Sequence, residues 1–460
     1  MSQQNLDQLL QAVKSPVELL RNSQIGPYAF PVVRYEFTNW RDEQLSWRQT
    51  CALFDQSHHM TDLYIEGPDA VRLLSTLGVN SFKGFKVDQA KQFIACNEDG
   101  YVIGDAILFF LDENKLSLVG RPPAENWVEY HAQTGGFNVK VERDERSAVN
   151  QGRRRSYRFQ VQGPNAAKVM EIVSGQPTPD IRFFHMGAFT IAGRRVRALR
   201  HGMVGQPGWE LFGPWEDADA VRDAIVAAGR PHGIRQVGAR TYPTSCLESG
   251  WIPSPLPAVY TGEAMRAYRQ WLKPTSYEAM ASLGGSFSSR NIADYYLTPY
   301  DLGYGPFVKF DHDFIGRAPL EKMAANPPRK KVTLLWNGED VERAMGSLFH
   351  DRGSVTKYID LPLANYASLP YDKVLSKGKT IGLSTYTGYN FNERAMLSLA
   401  MLNNEFSETG TEVTLVWGEE GRGTTKPTVE RHAQAEIRAT VAPAPISAVA
   451  REAYRPKALA

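Results

Sequence analysis

The sequence predicts an α+β protein of three units that ends in a small β-barrel. Three observations carry this expectation. A chain of 460 residues exceeds what one core ordinarily serves, so two or three domains are expected. Its strands are interspersed with single helices, without the regular alternation of a doubly wound sheet. From about Lys330 the chain breaks into short apolar runs between glycines and polar turns, the texture of an all-β domain. The expected units are residues 1–150, 151–325 and 326–460.

The elements follow in order. Ser15-Pro16-Val17-Glu18 joins a capping serine, a proline at the first helical position and a glutamate three residues past the cap. That helix must end at Asn22-Ser23-Gln24-Ile25-Gly26-Pro27. Ala106–Leu111 and Lys115–Val119 flank Asp112-Glu113-Asn114, a hairpin pattern. Asp144 to Ser156 is polar and carries Arg153-Arg154-Arg155, which predicts a solvated connector. Gln162-Gly163-Pro164-Asn165 leads into a helix with Ala167, Val169, Met170 and Val173 on its apolar side. Phe189–Ile191 and Val196–Leu199 flank Ala192-Gly193, a second hairpin. Glu216–Ala228 places Ala220, Val221, Ala224, Ile225 and Ala228 on one helical face, with Gly229 as the stop. In the last unit, Val332–Trp336, Thr380–Leu383, Leu397–Met401 and Glu412–Trp417 are the expected strands.

Composition excludes several classes. Hydrophobic residues make up 42% and charged residues 22%, which is globular rather than disordered. The net charge is +2, from 52 basic and 50 acidic side chains, and gives no reason to expect nucleic acid or a membrane as partner. A small molecule is the expected partner, with the chain a monomer or weak homo-oligomer. Cys51, Cys96 and Cys246 are far apart and form no CxxC pair, so neither a disulfide framework nor a cysteine zinc site is expected. Without a basic and apolar leader, a reducing cytoplasm is the expected address. No GxGxxG after a strand, GxxxxGK[ST], GxSxG or HExxH occurs. Dinucleotide, P-loop, serine-hydrolase and zincin chemistry therefore lose support, and no metal is expected.

Four segments carry a resemblance. Leu199-Arg200-His201-Gly202-Met203-Val204-Gly205-Gln206-Pro207-Gly208-Trp209-Glu210-Leu211 resembles the RxGYTGExGyE signature of the aminomethyltransferase family, the T-protein of glycine cleavage. Gln162-Gly163-Pro164 resembles its QGP turn, Asn97–Asp105 its NxxGGxxDD stretch, and Asp313-Phe314-Ile315-Gly316-Arg317 its DFIGR. Leu20–Gly26, Phe54–Met60 and Leu247–Pro257 are similar to a branch of that family, the bacterial tetrahydrofolate-dependent aryl O-demethylases of lignin catabolism. Those enzymes act on vanillate, 3-O-methylgallate and syringate.

The resemblance implies a three-domain T-protein-like fold, with two α+β domains before the barrel and tetrahydrofolate as methyl acceptor. It makes Glu210 a pterin ligand, since a carboxylate can accept two hydrogen bonds from an aminopyrimidine edge. Gly202, Gly205 and Gly208 would let the backbone approach the flat ring. Read alone, the same residues also fit a surface loop entering a strand. Trp251 and Phe183 are stacking candidates, with core packing as the alternative for Trp251. Tyr242, in Arg240-Thr241-Tyr242-Pro243, is the implied catalytic tyrosine, a hydrogen-bond or proton donor whose acidity would match the departing phenol. His59 is the implied catalytic partner, and the neighbouring His58 would point to the opposite face of a strand. Arg121 is the implied carboxylate fork, and Tyr28, Gln56 and Phe30 complete the aryl pocket.

Two departures sharpen the expectation. The T-protein has two adjacent aspartates where this chain has Gly104-Asp105, which argues against iminium transfer. Phe30 stands where the vanillate-type enzyme has a tyrosine, and a less polar wall favours syringate. The alternatives are an aminomethyl- or dimethylglycine-type folate enzyme and a non-catalytic folate-binding regulator.

Overall fold

The computed structural model describes residues 4–150, 152–253, 255–350 and 355–453. Strands β1 (Cys51–Asp55), β2 (Thr61–Glu66), β3 (Ala90–Cys96), β4 (Val102–Asp112), β5 (Lys115–Gly120) and β6 (Lys140–Asp144) come first. They are followed by β7 (Ser156–Gln162), β8 (Met186–Ile191), β9 (Arg194–Arg200), β10 (Gly208–Pro214) and β11 (Ile234–Val237). β3-β4-β5-β2-β6 form one sheet, and β11-β1-β7-β10-β9-β8 form a second. β1 thus leaves its sequence neighbours and pairs antiparallel with β7 and parallel with β11. The turn after β1 therefore passes directly from one sheet to the other.

Alternation along the second sheet separates two faces. Cys51, Leu53, Phe159, Val161, Trp209 and Leu211 form one core with the helices Ala166–Ser174 and Ala218–Gly229. Each such buried large apolar side chain contributes roughly 1.5–3 kcal/mol. The intervening positions bring Phe54, Arg158, Gln160, Gln162, Glu210 and Phe212 to the other face, in register Phe54↔Gln160, Glu210↔Gln160 and Phe212↔Arg158. That face bears the site.

The first sheet packs Leu63, Ile65, Phe93, Leu108 and Leu118 with Leu73, Leu74 and Trp127 of two helices. Leu247, Tyr268, Tyr295 and Leu320 belong to the same cluster, so the chain returns to the first core after leaving the second sheet. Two short strands, β12 (Leu283–Gly284) and, later, β14 (Leu369–Pro370), pair parallel in that region. β13 (Arg329–Trp336), β15 (Asp372–Ser376), β16 (Lys379–Asn390), β17 (Ala395–Asn403), β18 (Glu412–Trp417) and β19 (Ala435–Ala442) close a barrel in the order β13-β17-β16-β15-β18-β19.

The predicted punctuation holds at several points. Ser15 caps Pro16–Asn22 by accepting from the Glu18 amide. β4 and β5 pair as the first hairpin, and β8 and β9 pair as the second around Ala192 and Gly193, with φ of 49° and 73°. The later helix starts at Ala218 rather than Glu216, after a short 3-10 turn, and Ala218 takes the buried position expected of Ala220. All three cysteines are free and buried. No helix among the described residues is long and apolar enough to cross a membrane.

Candidate active site

Charge occupies one end of the site face. Glu210 Oε1 accepts from Arg158 Nη1 at 2.5 Å, and Arg158 Nη2 donates to Asp62 Oδ1 at 2.9 Å. Arg154 continues the row, donating to Asp62 Oδ2 at 2.6 Å and to Asp144 Oδ2 at 3.0 Å. All five side chains are buried. Alternation is what makes this tolerable, because a buried charge without a partner is strongly destabilising. The expected solvated connector is corrected here: Arg153 and Arg155 are exposed, but Arg154 is a structural cation between two aspartates.

Beside Glu210, Gln160 Oε1, Gln162 Nε2 and His201 Nδ1 are buried and make no hydrogen bond within the chain. Gln160 Nε2 donates to the His201 carbonyl at 2.8 Å, and the Met203 amide donates to Gln162 Oε1 at 2.8 Å. The pair anchors the loop before β10 and leaves donor and acceptor atoms for a planar heterocycle. Phe183 is half-buried nearby, 6.0 Å from the His201 ring. The loop glycines serve a different purpose from the one expected. A Cβ on Gly205, whose φ is +75°, would lie 2.3 Å from Ala450 Cα, and one on Gly202 would lie 1.9 Å from the Gln206 carbonyl. Protein backbone, not a ligand ring, fills the space they free.

Rings occupy the other end. Tyr242 begins a 3-10 turn after β11 and packs edge-on against Phe54 at 5.3 Å. Its hydroxyl accepts from Gln56 Nε2 at 3.0 Å and lies 3.6 Å from Met203 Sδ. Burial pushes this phenol well above its ordinary range, against the opposing Gln56 hydrogen bond. The expectation of an acidity matched to the departing phenol is therefore corrected: burial keeps the hydroxyl protonated.

His58 and His59 sit in the turn between β1 and β2, not in a strand. His59 packs 4.8 Å from Tyr242 and 4.6 Å from Phe30. Burial first, then the Arg121 cation, holds its imidazole neutral well below the usual range, and Nδ1 makes no hydrogen bond within the chain. His58 is directed elsewhere, with Nδ1 2.8 Å from Ser147 Oγ and its ring against Trp215. Gln56 Oε1 is also left without a partner.

Phe30 covers the pair, 4.8 Å from Tyr242. The Tyr28 hydroxyl donates to the His59 carbonyl, and its ring takes the Arg121 guanidinium at 4.0 Å and that of Arg146 at 5.0 Å. Arg121 follows β5 and stands at the N-cap of the helix Pro122–Thr134. A small cavity opens among Tyr28, Phe30, Arg121, Pro243, Thr385 and Tyr386. A smaller one lies between Arg121, Gly104, Asp105 and Pro253. Trp251, 38% exposed, donates to Asp105 Oδ2 at 3.1 Å and to the Tyr304 hydroxyl at 2.9 Å. Gln92 and Tyr304 also donate to that oxygen, at 2.7 and 2.6 Å. Burial pushes the Asp105 carboxyl up and the Lys331 amine down to about 8.

Comparison with known proteins places the chain in a family. The model of the GCVT N-terminal domain matches residues 23–254. A syringate O-demethylase of Sphingobium sp. (strain NBRC 103272 / SYK-6) is 52% identical over 98% of this chain and 97% of its own length. The chain belongs to the GCVT family. A sesamin methylene transferase of Sinomonas sp. (strain No.22) is 31% identical over 90% of each chain. The crystal structure of aminomethyltransferase T from Bartonella henselae matches the fold with a TM-score of 0.59, at 20% identity, over 92% of this chain and 91% of that one. The α+β T-protein-like architecture with its C-terminal barrel is thereby established.

Within the GCVT frame, Gly104 has a steric cause. A Cβ there would lie 2.7 Å from the Ala124 amide nitrogen and 3.2 Å from Ala124 Cα and Cβ. The first turn of the helix Pro122–Thr134 occupies the place of a side chain. Arg146, Arg158, Met203, Tyr304 and Tyr386 are contacts that sequence reasoning did not single out. Only Met203 lay inside a recognised segment; the others are joined to the site by long-range packing.

Proposed function

We propose that this GCVT-family protein is a tetrahydrofolate-dependent O-demethylase acting on a methoxylated 4-hydroxybenzoate. Syringate is the favoured substrate, then vanillate or 3-O-methylgallate. The observation that carries this reading is the Tyr242 hydroxyl, which Gln56 from the aryl side and Met203 from the folate loop both touch. One hydroxyl thus lies where two small molecules would meet. The 52% identity to a syringate O-demethylase supports the substrate class.

The residues fit a folate. Glu210 keeps Oε2 for an aminopyrimidine, while the partnerless Gln160, Gln162 and His201 atoms supply the mixed polar edge it needs. Trp251 and Phe183 are its ring contacts. Tetrahydrofolate supplies the acceptor nitrogen N5, which gains the methyl group as the ether oxygen keeps the bonding pair and the N5 proton is lost. The products are 5-methyltetrahydrofolate and a catechol-type acid.

The chain assists in three ways. Arg121 holds the benzoate carboxylate with a guanidinium fork. Tyr242, kept protonated by burial, donates a hydrogen bond to the oxygen that accumulates charge. His59, neutral and with an open Nδ1, orients the substrate phenol by accepting its hydrogen bond. Tyr28 and Gln56 fix the turn and the hydroxyl. Phe30 lines the larger cavity and packs over Tyr242 and His59, giving the aryl site an apolar wall. In this reading residues 1–150 supply most aryl contacts, 151–325 the folate contacts and 326–460 the barrel. The protein acts in the cytoplasm, as a monomer or weak homo-oligomer.

Incubation with tetrahydrofolate and syringate, vanillate, 3-O-methylgallate or guaiacol tests the reading. 5-Methyltetrahydrofolate should form fastest with syringate and slowest with guaiacol. Absence of that product from every substrate would sink it.

A further inference from the structure

The barrel reaches into the aryl cavity at one residue. β16 pairs with β17 in regular register up to Thr385 and resumes it at Thr387, with Tyr386 as the extra residue between. Tyr386 has φ of +51°, a left-handed conformation that a large aromatic side chain rarely adopts. Bulges of this kind re-aim a side chain. Here the ring is buried and lines the larger cavity alongside Arg121 and Phe30. Its hydroxyl donates to the Pro243 carbonyl at 2.9 Å. Pro243 directly follows Tyr242 in the same 3-10 turn, whose Ser245 amide donates to the same carbonyl.

We infer that Tyr386 is a positioning residue by which the barrel fixes the turn that aims the Tyr242 hydroxyl. The inference rests on the proposed role of Tyr242 and names how that residue is held. The helix Trp40–Gln49 holds the two flanks of the turn, with Thr241 Oγ1 donating to Glu43 Oε2 at 2.6 Å and Gln44 Nε2 donating to Thr244 Oγ1 at 2.9 Å, while Tyr386 reaches the proline between them from the barrel. A strained backbone held against a carbonyl beside a reactive hydroxyl is an arrangement in which strain serves geometry. The barrel is then part of the aryl site, although its strands stand far from Glu210 in sequence. The fixed Pro243 carbonyl sets the direction of the Tyr242 ring, and Gln56 sets the rotation of its hydroxyl.

Tyr386→Phe removes the hydroxyl and keeps the ring that lines the cavity. Expected is a fall in kcat of about tenfold, since small misplacements of a reacting group are costly, with KM for both substrates within twofold. A series of aryl methyl ethers with phenols of different acidity supplies the decisive readout. In Tyr386→Phe the dependence of kcat on phenol acidity should steepen toward that of Tyr242→Phe, because the departing oxygen has lost part of its assistance. The double variant should be no slower than Tyr242→Phe alone. Losses that multiply, or an unchanged dependence on phenol acidity, would overturn the inference. Thermal melting and folate binding of Tyr386→Phe are measured alongside, and a fall in kcat that is matched by lost folding overturns it as well. An unaltered enzyme that transfers no methyl group removes the role of Tyr242 and this inference together; normal transfer with an indifferent Tyr386→Phe removes the inference alone.

Discussion

The two ends of the site face are built on opposite electrostatic plans. At Glu210 the chain buries three carboxylates and two guanidiniums in one alternating row. At Tyr242 it gathers neutral rings, a deprotonated imidazole and an unpaired amide oxygen, with Arg121 at the margin. The two ends differ in where rigidity lies. The permanent charge of Glu210 is locked by partners on both sheets, because Asp62 and Asp144 belong to the first and Arg158 and Glu210 to the second. In the proposed reading the leaving oxygen, whose charge appears only during reaction, is met instead by a neutral hydrogen-bond donor.

Each end responds to a single substitution. Tyr242→Phe takes away the neutral donor. Turnover should drop by about 10²–10⁴, while folate binding, followed by intrinsic fluorescence, stays within twofold. Near-normal turnover would mean that the ring end does not assist departure. Arg158→Met cuts the charged row, strands Glu210 in the interior and leaves Asp62 to Arg154 alone. Unfolding free energy in urea should fall by about 3–5 kcal/mol, and the KM for tetrahydrofolate should rise more than that for the aryl acid. An equal rise in both would show that the row supports the fold without favouring the folate end. Arg121→Ala sharpens the comparison at its margin. The KM for carboxylated substrates should rise roughly 10–100-fold, the worth of a hydrogen-bonded charge pair, with guaiacol turnover unchanged. A variant that retains affinity for syringate would assign the carboxylate to Arg146 instead.

Much of the fold was legible because it rests on local signals. Ser15-Pro16 announces a cap, Ala192-Gly193 announces a two-residue turn, and β13, β16, β17 and β18 show as apolar runs. β15 is short and begins with Asp372-Lys373, so nothing in it stands out. The helix Trp40–Gln49 is strongly polar and escapes a search for apolar periodicity, yet it buries Glu43 and Gln44 as well as Trp40 and Trp47. Candidate residues stood out where a motif concentrates them, at Glu210 and Tyr242; their partners, which come from afar, did not. Arg158 lies 52 residues from Glu210 and 96 from Asp62. Tyr386 reads as an ordinary strand residue because a bulge is a property of pairing, not of composition.

Gly104 ties two parts of the molecule together. An aspartate placed there would press on the backbone of Ala124 and drive back the first turn of its helix, whose N-cap is Arg121. The residue on β4 thus governs where the arginine stands: under the proposed reading, a side chain added at one position is felt at the other through a single turn of helix.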